Sequence, residues 1–247
     1  MGLPTAGFTQ PEALNSLWLQ AFHLGVYQQQ NPEFQFLFCP RGRMFTPMNR
    51  EVILCNAMDA GANYLFMVDD DMVFRQDLFE QLYRHNVDIV APLAFTRNPP
   101  YLPVLYQGDT IWDPIEKKEA FRFECIRNYP RNKLVEVDAV GFGAVLINLD
   151  IVKRMNPPYF MTSSGTGEDI QFCLAAKKAG ARVFSDTSTI LGHMGSPLII
   201  DEKTSESYND PEMTEKIYGP YKKYRSLEIC HQTIVPNTDA KEILLAK

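Results

Sequence analysis

The sequence predicts an α/β fold, a mainly parallel sheet flanked by helices with a small antiparallel portion, and three observations carry that expectation. Residues 64–74 read Tyr-Leu-Phe-Met-Val-Asp-Asp-Asp-Met-Val-Phe, five apolar residues running into three aspartates. A short uninterrupted apolar run suits a strand buried on both faces. Strand and helix patterns alternate through the first half of the chain, as they do where helices cover a parallel sheet. Polar and apolar residues alternate over 121–129 and again from 134, the pattern of antiparallel strands.

The elements follow in order. Residues 1–9 are too few for a full first strand. Pro11 stands at the start of a helix over 12–29, where Leu14, Leu17, Trp18, Ala21, Phe22 and Val26 recur at helical spacing. Asn31-Pro32 ends it. Residues 34–39 read as a strand, and 40–43, with Arg41 and Arg43, as a loop. A helix over 49–60 is closed by Gly61, and the apolar run before the aspartates follows. Residues 76–85 read as helix and 87–93 as a buried strand. Pro99, Pro100, Pro103 and Pro114 interrupt 98–118. Residues 134–140 lead as a strand into Gly141-Phe142-Gly143-Ala144. The strand continues over 145–149, and Asp150 is placed to cap a short helix. Residues 163–167, Ser-Ser-Gly-Thr-Gly, read as a mobile loop. A helix over 168–179 ends at Gly180, 182–185 is a strand, and Leu191-Gly192-His193-Met194-Gly195 comes next. Residues 202–215 read as a polar loop. Residues 216–225 interleave aromatics with cations, either a solvated basic face or a segment that closes over a ligand. Residues 1–197 are expected to form one domain and 198–247 a C-terminal extension packed on it.

Composition narrows the function. Of 247 residues, 45% are hydrophobic, ample for a core, and the net charge of -6 argues against nucleic-acid binding through a basic surface. No apolar run approaches the ~20 residues that span a bilayer, so no transmembrane segment is expected. No basic stretch followed by an apolar one marks a signal peptide. The five cysteines are scattered without zinc or disulfide spacing. A cytoplasmic location is the expectation.

Chemistry concentrates in four places. Asp69, Asp70 and Asp71 stand where a strand leaves the sheet, and adjacent carboxylates repel unless a cation or hydrogen-bond donors neutralise them. Hard carboxylate oxygens favour Mg²⁺ or Mn²⁺; an acidic turn capping the next helix is the plainer account. Gly141 and Gly143 permit close approach to a ligand, or equally tight packing against a neighbour. Glu168 and Asp169 begin a helix, where acids complement the macrodipole. Adjacent helical residues do not share a face, so at most one of the two need face a substrate. His193, between glycines, is either structural or a further metal ligand. Arg41, Arg43 and Arg50 are surface cations or phosphate contacts.

Asp69-Asp70-Asp71, Gly141-Phe142-Gly143, Gly167-Glu168-Asp169 and Gly192-His193 occur in the order seen in GT-A-fold glycosyltransferases, and the chain resembles their family 2 group over residues 4–197. That resemblance implies a GT-A-like, Rossmann-type sheet. It implies a metal-dependent enzyme moving a sugar from a UDP- or GDP-sugar to an acceptor hydroxyl, on a carbohydrate or glycolipid, with inversion. Asp71, Asp69 and His193 would hold Mn²⁺ or Mg²⁺, Asp69 alternatively meeting the ribose, with Asp70 in the variable middle position beside the donor. Asp169 matches the catalytic base and Glu168 a place near the acceptor or supporting the loop. Gly141 and Gly143 would line the donor-sugar pocket and Thr5 the nucleotide site, with Arg50 assisting the leaving phosphate. The strand ending at Cys39 lacks the acid that often meets the base in this family. The alternatives are a nucleotidyltransferase acting on sugar phosphates and a non-catalytic carbohydrate-binding scaffold. The former would usually show a basic glycine-rich loop near the first strand, and 2–7 contains no cation.

Overall fold

The five residues of β3 (Tyr64–Val68) form the middle of the molecule because every one is apolar and four are fully buried. Successive side chains of a strand point to opposite faces. Leu65 and Met67 accordingly enter one apolar cluster, and Phe66 and Val68 enter another. The computed structural model describes residues 1–5, 11–42, 45–113, 117–162, 166–195 and 199–209.

Along the chain, β1 (Gly2–Thr5), α1 (Pro11–Gln30), β2 (Cys39–Gly42) and α2 (Thr46–Asp59) lead into β3. The middle holds β4 (Met72–Val73), α3 (Leu78–Tyr83), β5 (Ile89–Leu93), β6 (Leu105–Asp113), β7 (Lys118–Cys125), β8 (Leu134–Val137), β9 (Ala139–Val140) and β10 (Ala144–Asn148). The rest is α4 (Leu149–Val152), α5 (Glu168–Lys178), β11 (Val183–Ile190), β12 (Gly192–Met194), β13 (Ile199–Ile200) and α6 (Glu202–Asn209).

A seven-stranded sheet runs β2-β1-β3-β10-β5-β11-β8. Five strands share one direction; β10, between β3 and β5, and the edge strand β8 run against them. Residues of α2, α4 and α5 pack on one face with Leu65 and Met67. Residues of α1 and α3 pack on the other with Phe66 and Val68. The antiparallel portion is a β7-β6-β9 sheet, and a second small sheet, β13-β12-β4, sits beside the acidic turn. No helix among the described residues is long and apolar enough to cross a membrane.

Several expectations are corrected. The chain does form a first strand: Gly2–Thr5 pairs with β2, and Gly2 also pairs with Met67. The strand expected over 34–39 begins only at Cys39 and takes in Pro40 to Gly42, expected as loop. Phe34 and Phe36 instead pack edge-on against Tyr27 and Phe79. The prolines around 98–118 bracket a nine-residue strand, β6, rather than prevent one. Asn148, not Asp150, caps α4, its side chain accepting from the Asp150 N–H at 3.0 Å. Residues 202–209, expected as loop, are helical and dock through Tyr129–Glu202 and Ser205–Tyr101 hydrogen bonds. Residues 210–247, including the basic aromatic stretch 216–225, lie outside the described residues, as do Ser163, Ser164 and Gly165 of the expected loop.

Helix α1 also turns differently from its apolar spacing. Ala13, Ser16, Leu17, Gln20 and Leu24 face inward, while Trp18 and Phe22 are 70% and 75% exposed. The buried polar pair has work to do: Ser16 Oγ accepts from Phe74 N–H at 3.2 Å and Gln20 Oε1 from Phe79 N–H at 3.4 Å. Each satisfies a backbone donor that burial would otherwise strand.

Candidate active site

β3 and β5 end at the same edge of the sheet, with antiparallel β10 between them. Ligands of open α/β sheets bind beyond such strand ends. β3 delivers the three aspartates and β5 the loop from Ala94 to Pro103. Asp69 N–H donates to Gly143 O at 2.8 Å, which ties the acidic turn to the glycine segment. β4 pairs with β12, and Met194 N–H donates to Asp71 O at 2.9 Å. These short ladders carry His193 to Asp71 from far along the chain.

A cavity of about 350 Å³ opens here, within the ~300–1,000 Å³ of small-ligand sites. Arg50, Asp69, Gly141, Gly143, Glu168, Asp169 and His193 all line it, so the structure brings together most of the residues singled out from sequence. Asp71 is not among the lining residues but lies beside His193, which is. Asp70 is buried and lies outside the lining. The Thr5 and Arg41 side chains and all of Arg43 lie outside the described residues. At Gly141 a Cβ would fall 2.8 Å from Val104 Cγ2, so packing alone demands glycine there. Phe142 between the glycines points into the core, against Phe160 and Phe172.

Arg50 is no surface cation. Its Nη2 donates to both Asp69 oxygens at 2.9 Å and to Phe142 O at 3.1 Å, and Nη1 donates to Glu168 Oε1 at 2.8 Å. Its guanidinium lies over the Phe142 ring, 5.6 Å from the centroid. Burial alone would lower the Arg50 pKa; the Asp69 and Glu168 carboxylates outweigh it and raise it, so the guanidinium stays charged. Both acids of the α5 start line the cavity, and they take different partners. Glu168 is drawn sideways by Arg50. Asp169 folds back over the helix start, its Oδ1 accepting from Ile170 N–H at 2.8 Å. Gly167 leaves room for this, since a Cβ there would meet Asp169 Oδ1 at 2.7 Å. Burial raises the Asp169 pKa, opposed by Arg50 and reinforced by Glu168.

His193 Nδ1 sits 2.8 Å from Phe95 O. A carbonyl only accepts, so Nδ1 carries the proton and Nε2 presents its lone pair. Burial lowers the His193 pKa, partly offset by Phe95 O, which keeps the ring neutral. Nε2 faces Asp71 Oδ2 at 3.4 Å, and Arg97 is ion-paired to that same oxygen while its Nε donates to Nε2 at 3.4 Å. Sequence reasoning missed Arg97, along with Thr46 and Thr96 on the cavity wall. The signal was available: Thr96-Arg97 leaves the end of β5 as the aspartates leave the end of β3.

The donor set suits a hard divalent ion in part. Asp71 and His193 converge on one point, His193 is oriented by a carbonyl as ligating histidines are, and a guanidinium stands in the position of a cation. The expected third ligand, Asp69, spends both oxygens on Arg50, and among the described residues no three His, Cys, Asp or Glu side chains share an ion site. The two-ligand remainder fits ions that keep waters and take phosphate oxygens.

No protein-family model matches the sequence, and no curated protein matches it. Solved structures similar in shape include A197 from STIV, at 16% identity over 78% of this chain and 83% of that one, TM-score 0.48. GalNAc-T7 with UDP, GalNAc and Mn²⁺ is similar at 12% identity over 77% of this chain, which spans 36% of that one, TM-score 0.44. A UDP-glucose pyrophosphorylase complexed with UDP-glucose is similar at 8% identity over 89% of this chain and 98% of that one, TM-score 0.46. Likeness at this level carries no residue role or substrate across.

Proposed function

We propose that this protein is a metal-dependent glycosyltransferase of the GT-A kind, resembling the inverting family 2 group, that moves a sugar from a UDP- or GDP-sugar to an acceptor hydroxyl of a carbohydrate or glycolipid. One observation carries the reading: a single cavity joins two separate acidic clusters, one closing on His193 and the other at the start of α5. Around it Asp69, Asp71, Glu168 and Asp169 stand against Arg50 and Arg97, an excess of two negative charges among these described residues.

Asp71 and His193 would hold Mn²⁺ or Mg²⁺, which when bound would stabilise negative charge growing on the leaving diphosphate. Arg50 fixes Asp69 and Glu168 in one geometry and leaves Asp169 to the acceptor. Asp169 takes the acceptor hydroxyl proton as that oxygen attacks the sugar carbon from the face opposite the diphosphate. Its raised pKa strengthens it as a base and sets the pH response: activity falls as pH drops through a value above the ordinary 3.8. Gly141 and Gly143 line the cavity and would form the wall beside the sugar, packed against Val104 and Met72.

The experiment is a screen of nucleotide sugars with Mn²⁺, scoring donor hydrolysis, transfer and thermal stabilisation. Hydrolysis and stabilisation by one UDP- or GDP-sugar are expected. A protein that neither binds nor cleaves any of them overturns the reading. Nucleotide sugar formed from a nucleoside triphosphate and a sugar phosphate would make it a nucleotidyltransferase.

A further inference from the structure

We propose that Arg97 is a movable internal cation: it holds the place between Asp71 and His193 until a divalent ion arrives, then passes to the donor's diphosphate. This rests on the metal-dependent reading above. Four observations on the same residue carry it. The guanidinium pairs with Asp71 Oδ2 and donates to His193 Nε2, the two atoms any ion at this point must use. The Arg97 side chain is 52% exposed, against 19% for Asp71 and 17% for His193, so it enters from the solvent side and has room to leave. Its backbone does not need to move, because the loop is pinned on either side: Thr96 N–H donates to Leu102 O at 2.8 Å, and Phe95 bridges Pro103. Arg97 also lines the cavity that would receive the diphosphate.

The physical logic is exchange of partners. A guanidinium and a divalent ion cannot share one carboxylate oxygen and one imidazole lone pair, so the ion must displace Arg97. Displacement leaves a positive side chain on a fixed loop beside the metal, where a nucleoside diphosphate offers it charge-assisted hydrogen bonds. Metal and nucleotide then load together, since each removes the obstacle to the other. A ligand whose competent state is open only a fraction of the time binds weaker by that fraction.

The test measures Mn²⁺ binding by electron paramagnetic resonance and UDP or GDP binding by calorimetry, on the full chain and on Arg97→Ala and Arg97→Lys. Without nucleotide, Arg97→Ala is expected to bind Mn²⁺ about fivefold tighter, the effect of a site otherwise open about a fifth of the time. With saturating Mn²⁺, the same variant is expected to bind the nucleotide about tenfold weaker, the loss of one charge-assisted contact. Arg97→Lys lies between. The two effects have opposite signs, whereas a merely structural loss weakens both, and that result overturns the proposal. Nucleotide-coupled Mn²⁺ binding that Arg97→Ala leaves unchanged overturns it too while the metal-dependent reading stands. If the unaltered protein binds no Mn²⁺ with either nucleotide, both fall.

Discussion

Two arginines face the same cavity and hold the same kind of partner, yet their surroundings differ. Arg50 rises from the first turns of α2, its side chain 4% exposed, with its donors on Asp69, Glu168 and a backbone carbonyl. Arg97 comes from a loop, half exposed, with Asp71 and one ring nitrogen. Charge does not distinguish them; burial does. A buried pair with one partner removed leaves an uncompensated charge that water cannot reach. An exposed pair trades its partner for water at little cost. The first arginine is therefore architecture; under the proposed function the second is exchangeable, and Asp169, which lines the same cavity, carries the chemistry.

The largest effect expected is at that chemistry. A general base contributes ~10²–10⁴-fold to rate. Asp169→Asn should lower turnover by that order with donor affinity and melting temperature nearly unchanged, and Glu168→Gln should lower it less. Near-normal turnover by Asp169→Asn, or a product that keeps the donor's anomeric configuration, would sink the assignment.

Next comes Arg50. Breaking a buried ion pair by removing one partner costs ~3–5 kcal/mol. Arg50→Met should destabilise by that order in denaturant melts. Arg50→Lys should recover only part, because one ammonium cannot span Asp69 and Glu168 as a guanidinium does. A loss below about 1 kcal/mol for Arg50→Met would erase the difference between the two arginines, since that is the range of exposed pairs.

A second buried charge, away from the cavity, tests whether burial is the deciding variable. Asp186 is fully buried in β11, within 2.8 Å of His85 Nε2, with Ser188 N–H donating at 2.9 Å and Thr189 Oγ1 at 2.9 Å. Burial alone would raise its pKa; these hydrogen bonds overcome that and hold it at about 2. The folded value lies below the unfolded one. Its stabilisation is therefore present above pH ~4 and lost as pH falls toward 2, amounting to roughly 2 kcal/mol. Asp186→Asn should remove that part of the acid dependence from pH-resolved melts. An identical acid limb in the variant would show that Asp186 does not supply it.

How much of this was legible in the sequence follows from the range of each interaction. The run Tyr64 to Val68 announced its strand because burial on both faces needs only apolar residues, and local composition records that. β6 was hidden because its prolines were read as breakers when they stand at its ends. Ser16 and Gln20 were hidden because polar residues on an inward face look like errors until the Phe74 and Phe79 amides they serve are placed beside them. Asp69, Asp169 and His193 were singled out because few residue types can do acid-base and metal chemistry, and all three line the cavity. Arg50 was singled out for phosphate, and its partners Asp69 and Glu168 emerge only when α2, β3 and α5 meet. Arg97 had no local mark other than its place after a strand.

The smallest effect belongs to Arg97, and its size decides the comparison. In excess chelator its pair with Asp71 should be worth no more than ~1 kcal/mol, since a half-exposed guanidinium is well solvated either way. Arg97→Ala should shift the chelator melt slightly, and added salt should shrink even that shift, because solvent-exposed pairs are screened. Arg50→Met, buried at the other end, should keep its full cost at high salt. Mn²⁺ should reverse the order for Arg97 alone: with the guanidinium gone the ion has Asp71 and His193 to itself, so the variant should gain more melting temperature from Mn²⁺ than the unaltered protein does. A salt-insensitive loss of several kcal/mol in Arg97→Ala would place it in the same class as Arg50, a fixed counter-ion, and the exchange of partners at Asp71 would have no room to occur.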